Sequence, residues 1–296
     1  MKGHPLSESA NGRLAQLLDP LITRNGFSPT PVPGVEFMRA VESTERRPII
    51  YTPRIVIVAQ GSKRVWLGDE SYAYDANNYL LLSAPMPMEC ATTASEDEPL
   101  LELVINVDPI LVGELLLEMG DIRNIEPSSF VGSSPMTAEV IDAAERLAVA
   151  LASPVDARIL GSQIVREIVY RILISANGEV LRLATNNAGR YGQIARVLRH
   201  IHREYATDLD VGSLAREATM GTSTFHSVFR EVTATSPVQY VKQVRLHRAR
   251  ALLTAEGLTA QEAAHQVGYS SSTQFSREYR RMFGVSPASD RTALSA

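Results

Sequence analysis

Two stretches near the end of this 296-residue sequence repeat one pattern fifty positions apart, and that repeat limits what the region can fold into. Phe225, Phe229, Arg230, Ser236 and Pro237 recur as Phe275, Tyr279, Arg280, Ser286 and Pro287. The aromatic pairs stand four residues apart, which is the spacing of one face of an α-helix. Each Ser-Pro pair offers a capping hydroxyl followed by a proline, which needs no amide partner in a first helical turn. Upstream, Leu214-Ala215 and Ala263-Ala264 align at an offset one residue shorter, and their alanines let a preceding helix pack closely. The offset changes inside the intervening turn, where insertions are easiest. In the second copy the run from Val267 to Pro287 reads as a tight turn feeding a short helix. That is the layout of a helix-turn-helix unit, whose second helix enters a DNA major groove.

Helices are expected near 190–205, 211–218, 222–232, 237–254, 259–266, 271–282 and 287–293. With the aromatics inward, Ser223, Thr224, His226, Ser227 and Arg230 fall on the outer arc of the first reading helix. Ser272, Thr273, Ser276, Arg277 and Arg280 fall on that of the second. Arginine can grip guanine O6 and N7 together, and hydroxyls reach base edges or phosphates. Arg277, near the middle of its helix, is expected to read a base. Arg280, Arg281, Arg245 and Lys242 are expected on phosphates, although Thr224 and Arg281 fit a plain solvated face almost as well. Between the two units, Val241, Val244, Leu246, Ala249, Leu252 and Leu253 make residues 237–254 a stiff connecting helix.

Charge divides in the same place. Residues 190–296 hold 14 Lys/Arg against 9 Asp/Glu, a net of +5, whereas the preceding residues hold 15 against 24, a net of −9. A basic module on an acidic body suits local phosphate binding, though chance segregation of surface charge gives the same numbers. No apolar run approaches the roughly 20 residues of a membrane helix. The start, Met1 to Pro5, lacks the apolar core of a signal peptide. The single cysteine, Cys90, excludes an internal disulfide and suits a reducing cytoplasm.

The first 185 residues have a different texture. Leu14, Leu17, Leu18, Leu21 and Ile22 suggest one short helix, stopped by Pro29, Pro31 and Pro33. Arg54–Gln60, Lys63–Leu67, Ser71–Tyr74, Tyr79–Ser83 and Leu100–Val107 read as strands, with Gly61-Ser62 and Gly68-Asp69 as hairpin turns. Short strands in succession imply a small barrel or sandwich. After Asp108-Pro109 come helices over 110–119, 137–152 and 157–175, the last ended by Asn177-Gly178. They either cap the barrel or form a dimer seam. Thr185 to Gly189 is the expected linker. The expected fold class is α+β with two domains, residues 1–185 (helical over about 108–175) and an all-α double helix-turn-helix domain over 186–296.

Ser223-Thr224-Phe225-His226, Thr235 to Tyr240, Arg245 to Leu253 and the run from Val267 together resemble the AraC-type transcription regulators. Tyr51 to Lys63, Gly68-Asp69, Tyr74-Asp75, Tyr79 to Ser83 and Arg166 to Arg171 are similar to the sensor domain of one AraC-type subgroup. The resemblance implies a cupin-like β-barrel followed by helices, then two helix-turn-helix units joined by a helix. It also implies a sequence-specific activator that binds promoter DNA, contacts RNA polymerase and answers to a small-molecule effector. The same positions, Ser223, His226, Ser227, Ser272, Thr273, Ser276 and Arg277, are the base-facing set that it implies. Thr219 departs from the pattern, because the second turn has Gly268 there, and it puts the first turn's geometry in question.

Many cupins are metal enzymes, which need clustered His and Glu on neighbouring strands. His4 is the only histidine before residue 200, so no metal and no cofactor is expected, and no enzyme. The barrel interior is instead the expected effector pocket. Trp66, Tyr72, Tyr74, Cys90 and Glu102 are its candidate lining, against the plainer reading of core aromatics, a buried thiol and a solvent-facing Glu102. A thiol sensor at Cys90 is a further alternative. A homodimer and a cytoplasmic location complete the expectation. A second reading, a ligand-binding protein that its DNA module merely recruits without promoter control, stays open.

Overall fold

The computed structural model describes residues 8–120, 129–185 and 189–293. His4 and the centre of the expected linker, residues 186–188, lie outside them. Helix α1 (Glu8–Leu18) precedes nine strands: β1 (Gly26–Pro29), β2 (Val35–Ala40), β3 (Thr44–Tyr51), β4 (Arg54–Gln60), β5 (Ser62–Leu67), β6 (Glu70–Asp75), β7 (Asn78–Leu82), β8 (Met86–Thr93) and β9 (Leu100–Asn106). Then come α2 (Pro109–Glu118), β10 (Val131–Pro135), α3 (Ala138–Leu151), α4 (Pro154–Leu173) and the short α5 (Gly178–Arg182). The strands form two antiparallel sheets, ordered β1-β2-β9-β4-β7-β10 and β3-β8-β5-β6.

Why β4 is apolar almost throughout follows from its place. Ile55, Ile57 and Ala59 pack with α1, α3 and α4 on one face, while Val56 and Val58 face the space between the sheets. A strand covered on both sides has no solvent face on which to alternate. β8 does alternate: Met86, Met88, Cys90 and Thr92 are buried, and the residues between them less so.

Two local expectations change. Gly68-Asp69 does close a hairpin, since Leu67 pairs with Glu70. Gly61-Ser62 does not, because β4 and β5 belong to different sheets. Gly61 turns the corner between them at φ +77°, and a Cβ there would lie 2.9 Å from Leu100 Cα. Asn177-Gly178 does not end the long helix either; α4 stops at Leu173, and Asn177 precedes α5. Asn177 Nδ2 donates to Ser134 Oγ at 2.7 Å and to the Ser133 carbonyl at 3.0 Å, tying this corner to β10.

The remainder is helical: α6 (Gly189–Glu204), α7 (Val211–Glu217), α8 (Thr222–Thr233), α9 (Pro237–Ala255), α10 (Ala260–Gln266), α11 (Ser272–Phe283) and α12 (Pro287–Ala293). Helices α7 and α8 repeat as α10 and α11. In both turns an amide donates five residues back, Met220 to Ala215 at 3.0 Å and Tyr269 to Ala264 at 2.9 Å. Both turns use the left-handed conformation, at Thr219 (φ +57°) and Gly268 (φ +85°). Thr219 thus takes the glycine geometry rather than altering the turn. A left-handed β-branched residue is strained by about 1–2 kcal/mol, and Thr219 is exposed. Thr219→Gly is expected to stabilise the protein by about 1 kcal/mol, read as a raised thermal midpoint. An unchanged or lowered midpoint would mean that the side chain contributes more than the strain costs.

The two halves share a buried seam. Tyr240 Oη donates to the Pro85 carbonyl at 2.7 Å and lies 2.9 Å from His202 Nε2. Burial, and then Arg248, push His202 down to about 4, so the ring is neutral. With the tyrosine proton committed to Pro85, Nε2 carries the hydrogen. At the tip of the β5–β6 hairpin, a Cβ on Gly68 would stand 2.8 Å from Ala234 Cβ.

Candidate nucleic-acid interface

Each reading helix is held from behind by aromatic rings. Phe225 and Phe229 are fully buried, their centroids 5.4 Å apart, and Phe229 meets Tyr240 edge-on at 5.4 Å. In the second unit Tyr269, Phe275, Tyr279 and Phe283 form a chain with spacings of 5.4, 5.5 and 4.7 Å. Tyr279 Oη donates to Asp290 Oδ2 at 2.7 Å, and Arg250 Nε pairs with the same oxygen at 2.8 Å, so α12 clamps α11 onto α9. Ser236 caps α9 by accepting from Gln239 N, with Pro237 in its first turn, and Ser271 caps α11 by accepting from Gln274 N.

With those faces fixed, the outer arcs follow. Ser223, Thr224, His226, Ser227 and Arg230 are exposed on α8. Ser272, Thr273, Arg277 and Arg280 are exposed on α11, and Ser276 is half-buried. Among the described residues, Arg230, Arg277 and Arg280 have no ion-pair partner. Their guanidinium groups stand in solvent on the faces turned away from the aromatic cores.

Two of the expected phosphate contacts are engaged elsewhere. Arg245 donates from Nε to the Tyr205 carbonyl at 2.7 Å, from one terminal nitrogen to Thr207 at 2.8 Å, and from the other to Gly268 at 3.2 Å. It staples the end of α6 to the second turn. Lys242 Nζ donates to Glu278 Oε1 at 2.7 Å, and Tyr269 Oη donates to Oε2 of the same carboxylate at 2.7 Å. Sequence separations of 23 to 40 residues hid these partners. Arg281 is exposed, as a phosphate contact requires.

The effector candidates separate into two places. Tyr74, Cys90 and Glu102 are buried between the sheets, 1%, 5% and 1% exposed. Tyr51 Oη lies 2.9 Å from Tyr74 Oη and donates to Cys90 Sγ at 3.5 Å. Burial first, then neighbouring Cys90 and Glu102, hold the Tyr51 phenol well above its usual range, so it is a neutral donor. Glu102 does not face solvent: Lys63 Nζ donates to its Oε2 at 2.7 Å, and Oε1 is buried without a partner. Tyr72 is half-buried, its hydroxyl donating to Glu70 at 2.7 Å. Trp66 lies on the other face of β5, with the Arg46 guanidinium 4.7 Å from its ring centroid. Tyr51 and Lys63 went unnamed as pocket candidates. Lys63 shares strand parity with buried Val65 and Leu67, and that signal was present in the sequence. Among the described residues, no group of three or more His, Cys, Asp and Glu is placed to hold a metal ion. No described helix is long and apolar enough to cross a membrane.

Residues 31–180 match the model of the AraC-type transcriptional regulator N-terminus, and residues 214–293 match that of a helix-turn-helix domain. The chain belongs to the AraC family of transcription regulators. Similar proteins include the Msm operon regulatory protein of Streptococcus mutans, 30% identical over 43% of this chain and 46% of that protein. The thermoregulatory protein LcrF of Yersinia pestis is 26% identical over 60% of this chain and 65% of that one. The HTH-type transcriptional regulator AlkR of Acinetobacter baylyi is 36% identical over 32% and 31%. The chain thus aligns with less than two thirds of each of these relatives. Among solved structures, ToxT of Vibrio cholerae with bound unsaturated fatty acid aligns over 91% of this chain and 97% of its own, with a TM-score of 0.57 and 11% identity. That likeness supports the two-part fold of this AraC-family chain, a sheet-rich half followed by a helical one. The relatives are regulators of transcription rather than enzymes.

Proposed function

We propose that this AraC-family chain activates transcription by placing α8 and α11 in successive major grooves of promoter DNA, under control of a small molecule bound in its sheet-rich half. In this reading residues 1–185 sense and 186–296 bind DNA. The outer arc residues of α8 and α11 make the contacts, with Arg277 on a base and Arg280 on a phosphate. RNA polymerase is the partner that family membership suggests, and the cytoplasm is the compartment. Exposed Val149, Val155, Ile159 and Leu160 on α3 and α4 support a homodimer through that helical pair.

The observation that carries the reading is the pair of solvent-facing arcs held by one continuous helix. Helix α9 has 19 residues, about 28 Å of length at 1.5 Å per residue. Groove entries on one face of the duplex recur every 34 Å or so. The test is Arg277→Ala, with binding measured against operators randomised one position at a time. Affinity for the preferred sequence is expected to fall by about 1–3 kcal/mol, with preference relaxed at one base pair. An equal loss on every sequence would move Arg277 to the phosphates.

A further inference from the structure

The outer arc of α11 includes a side chain outside the expected set, Gln274. Phe275 and Tyr279 are fully buried and fix the inner face, and at about 100° per residue Arg277 stands opposite them. Gln274 is only about 60° around the helix from Arg277, as near to it as Arg280 is on the other side. It is exposed and lies in the first turn of α11, the end of a reading helix that meets base edges. Both ends of the residue are held. Its backbone amide donates to the capping Ser271 Oγ at 3.2 Å, and its side-chain Nε2 donates to Glu278 Oε1 at 3.1 Å. Glu278 is itself fixed: Oε1 also accepts from Lys242 Nζ at 2.7 Å, and Oε2 accepts from Tyr269 Oη at 2.7 Å. Partial burial opposes its charge, but the bonds from Lys242, Tyr269 and Gln274 outweigh that and hold the carboxyl below its usual range. An ionised carboxylate only accepts, so the Gln274 amide must turn its nitrogen toward Glu278.

That orientation decides what is left for DNA. A glutamine amide has two N–H hydrogens and one acceptor oxygen. With one hydrogen committed to Glu278, Gln274 offers a single donor beside a single acceptor. The major-groove edge of adenine presents the complement, an acceptor at N7 and a donor at N6. Guanine presents two acceptors, N7 and O6, so Oε1 would stand against O6 with no hydrogen between them. A free amide could turn both hydrogens toward guanine; the bond to Glu278 removes that option. We propose that Gln274 reads an adenine in the second groove, and that Glu278 is a positioning residue that excludes guanine there. The proposal rests on the DNA-reading function above and deepens it. In the first unit the positions fifty residues earlier are Thr224 and Val228, and Val228 is buried. Helix α8 therefore has no counterpart of this pair, and the adenine requirement falls at one end of the bound site, giving it a direction.

In the test, the full chain selects duplexes from a randomised pool, and its affinity for the recovered site is measured with each of the four base pairs at every position. Gln274 lies about 4.5 Å along α11 from Arg277, so its adenine is expected about one to two base pairs from the one that Arg277→Ala relaxes. Wild type is expected to prefer adenine over guanine there by about tenfold or more. Gln274→Ala, a change on an exposed helix surface, is expected to level the four base pairs at that position to within about twofold and to leave preferences elsewhere intact. Glu278→Leu is expected to raise guanine close to adenine while cytosine and thymine stay disfavoured. Loss of mere structural support would instead weaken every duplex alike, and that result would strike the positioning role. An unaltered preference in Gln274→Ala, or a uniform loss across all base pairs, overturns the proposal. A wild-type chain that selects no sequence would strike the DNA-reading function itself and this inference with it, whereas selected sites indifferent to Gln274→Ala strike the inference alone.

Discussion

Replacing Lys63 with methionine is expected to cost about 3–5 kcal/mol of folding stability, because it strands Glu102 as a lone charge between the sheets. The two side chains are only 7% and 1% exposed and meet at 2.7 Å. Glu102 Oε1 already lacks a partner, so no second donor compensates for the lost ammonium. A buried pair differs from a buried single charge in this respect: removing both partners together can be close to neutral. Lys63→Met combined with Glu102→Met is therefore expected to recover most of the loss. Denaturant midpoints for the single and double variants measure both numbers. A single-variant cost below about 1 kcal/mol, the worth of an exposed pair, would show that water reaches Glu102.

Arg245→Ala is expected to destabilise the helical half by about 3 kcal/mol. Each charge-assisted bond from its guanidinium to a backbone carbonyl is worth about 1.5–3 kcal/mol, and three bonds sharing one group do not add fully. The carbonyls of Tyr205, Thr207 and Gly268 come from two different loops, so a single ammonium cannot span them. Arg245→Lys is accordingly expected to rescue little. The salt dependence of DNA binding separates this role from a phosphate contact. Loss of a phosphate contact lowers the log–log slope by about 1, whereas a staple leaves it unchanged in whatever fraction stays folded. A stable variant with a reduced slope would return Arg245 to the DNA.

The helical half was legible because its signals are local. Ser236-Pro237 and Ser286-Pro287 start α9 and α12 where the residues themselves dictate, and the aromatic spacing alone fixes which arc faces out. Arg245 and Lys242 were not legible in the same way. A basic residue on a helix reads as solvent-facing until its tertiary partner is known, and those partners are distant in sequence. In the sheet half, strands covered on both faces announced themselves as apolar runs, as in β4, β7 and β9. The edges did not. β1 (Gly-Phe-Ser-Pro), β10 (Val-Gly-Ser-Ser-Pro) and the charged start of β3 are sheet borders, where pairing on one side only admits proline, glycine and charge. Gly61-Ser62 looked like a hairpin because a glycine marks a turn without saying which sheet the chain enters next. Among the pocket candidates, Trp66 was placed by residue type, although its alternation with Val65 and Leu67 along β5 assigns it to the opposite face.

Helix α9 carries a geometric consequence for the second unit. Because it is unbroken from Pro237 to Ala255, gaining or losing one residue within it would swing everything downstream by about 100° and shift it about 1.5 Å. Rotation dominates, so the phase between the two grooves admits no fine adjustment by length. Only changes near a whole helical turn, about 3.6 residues, would return α11 to its original bearing, and by then its reach has grown by some 5.4 Å.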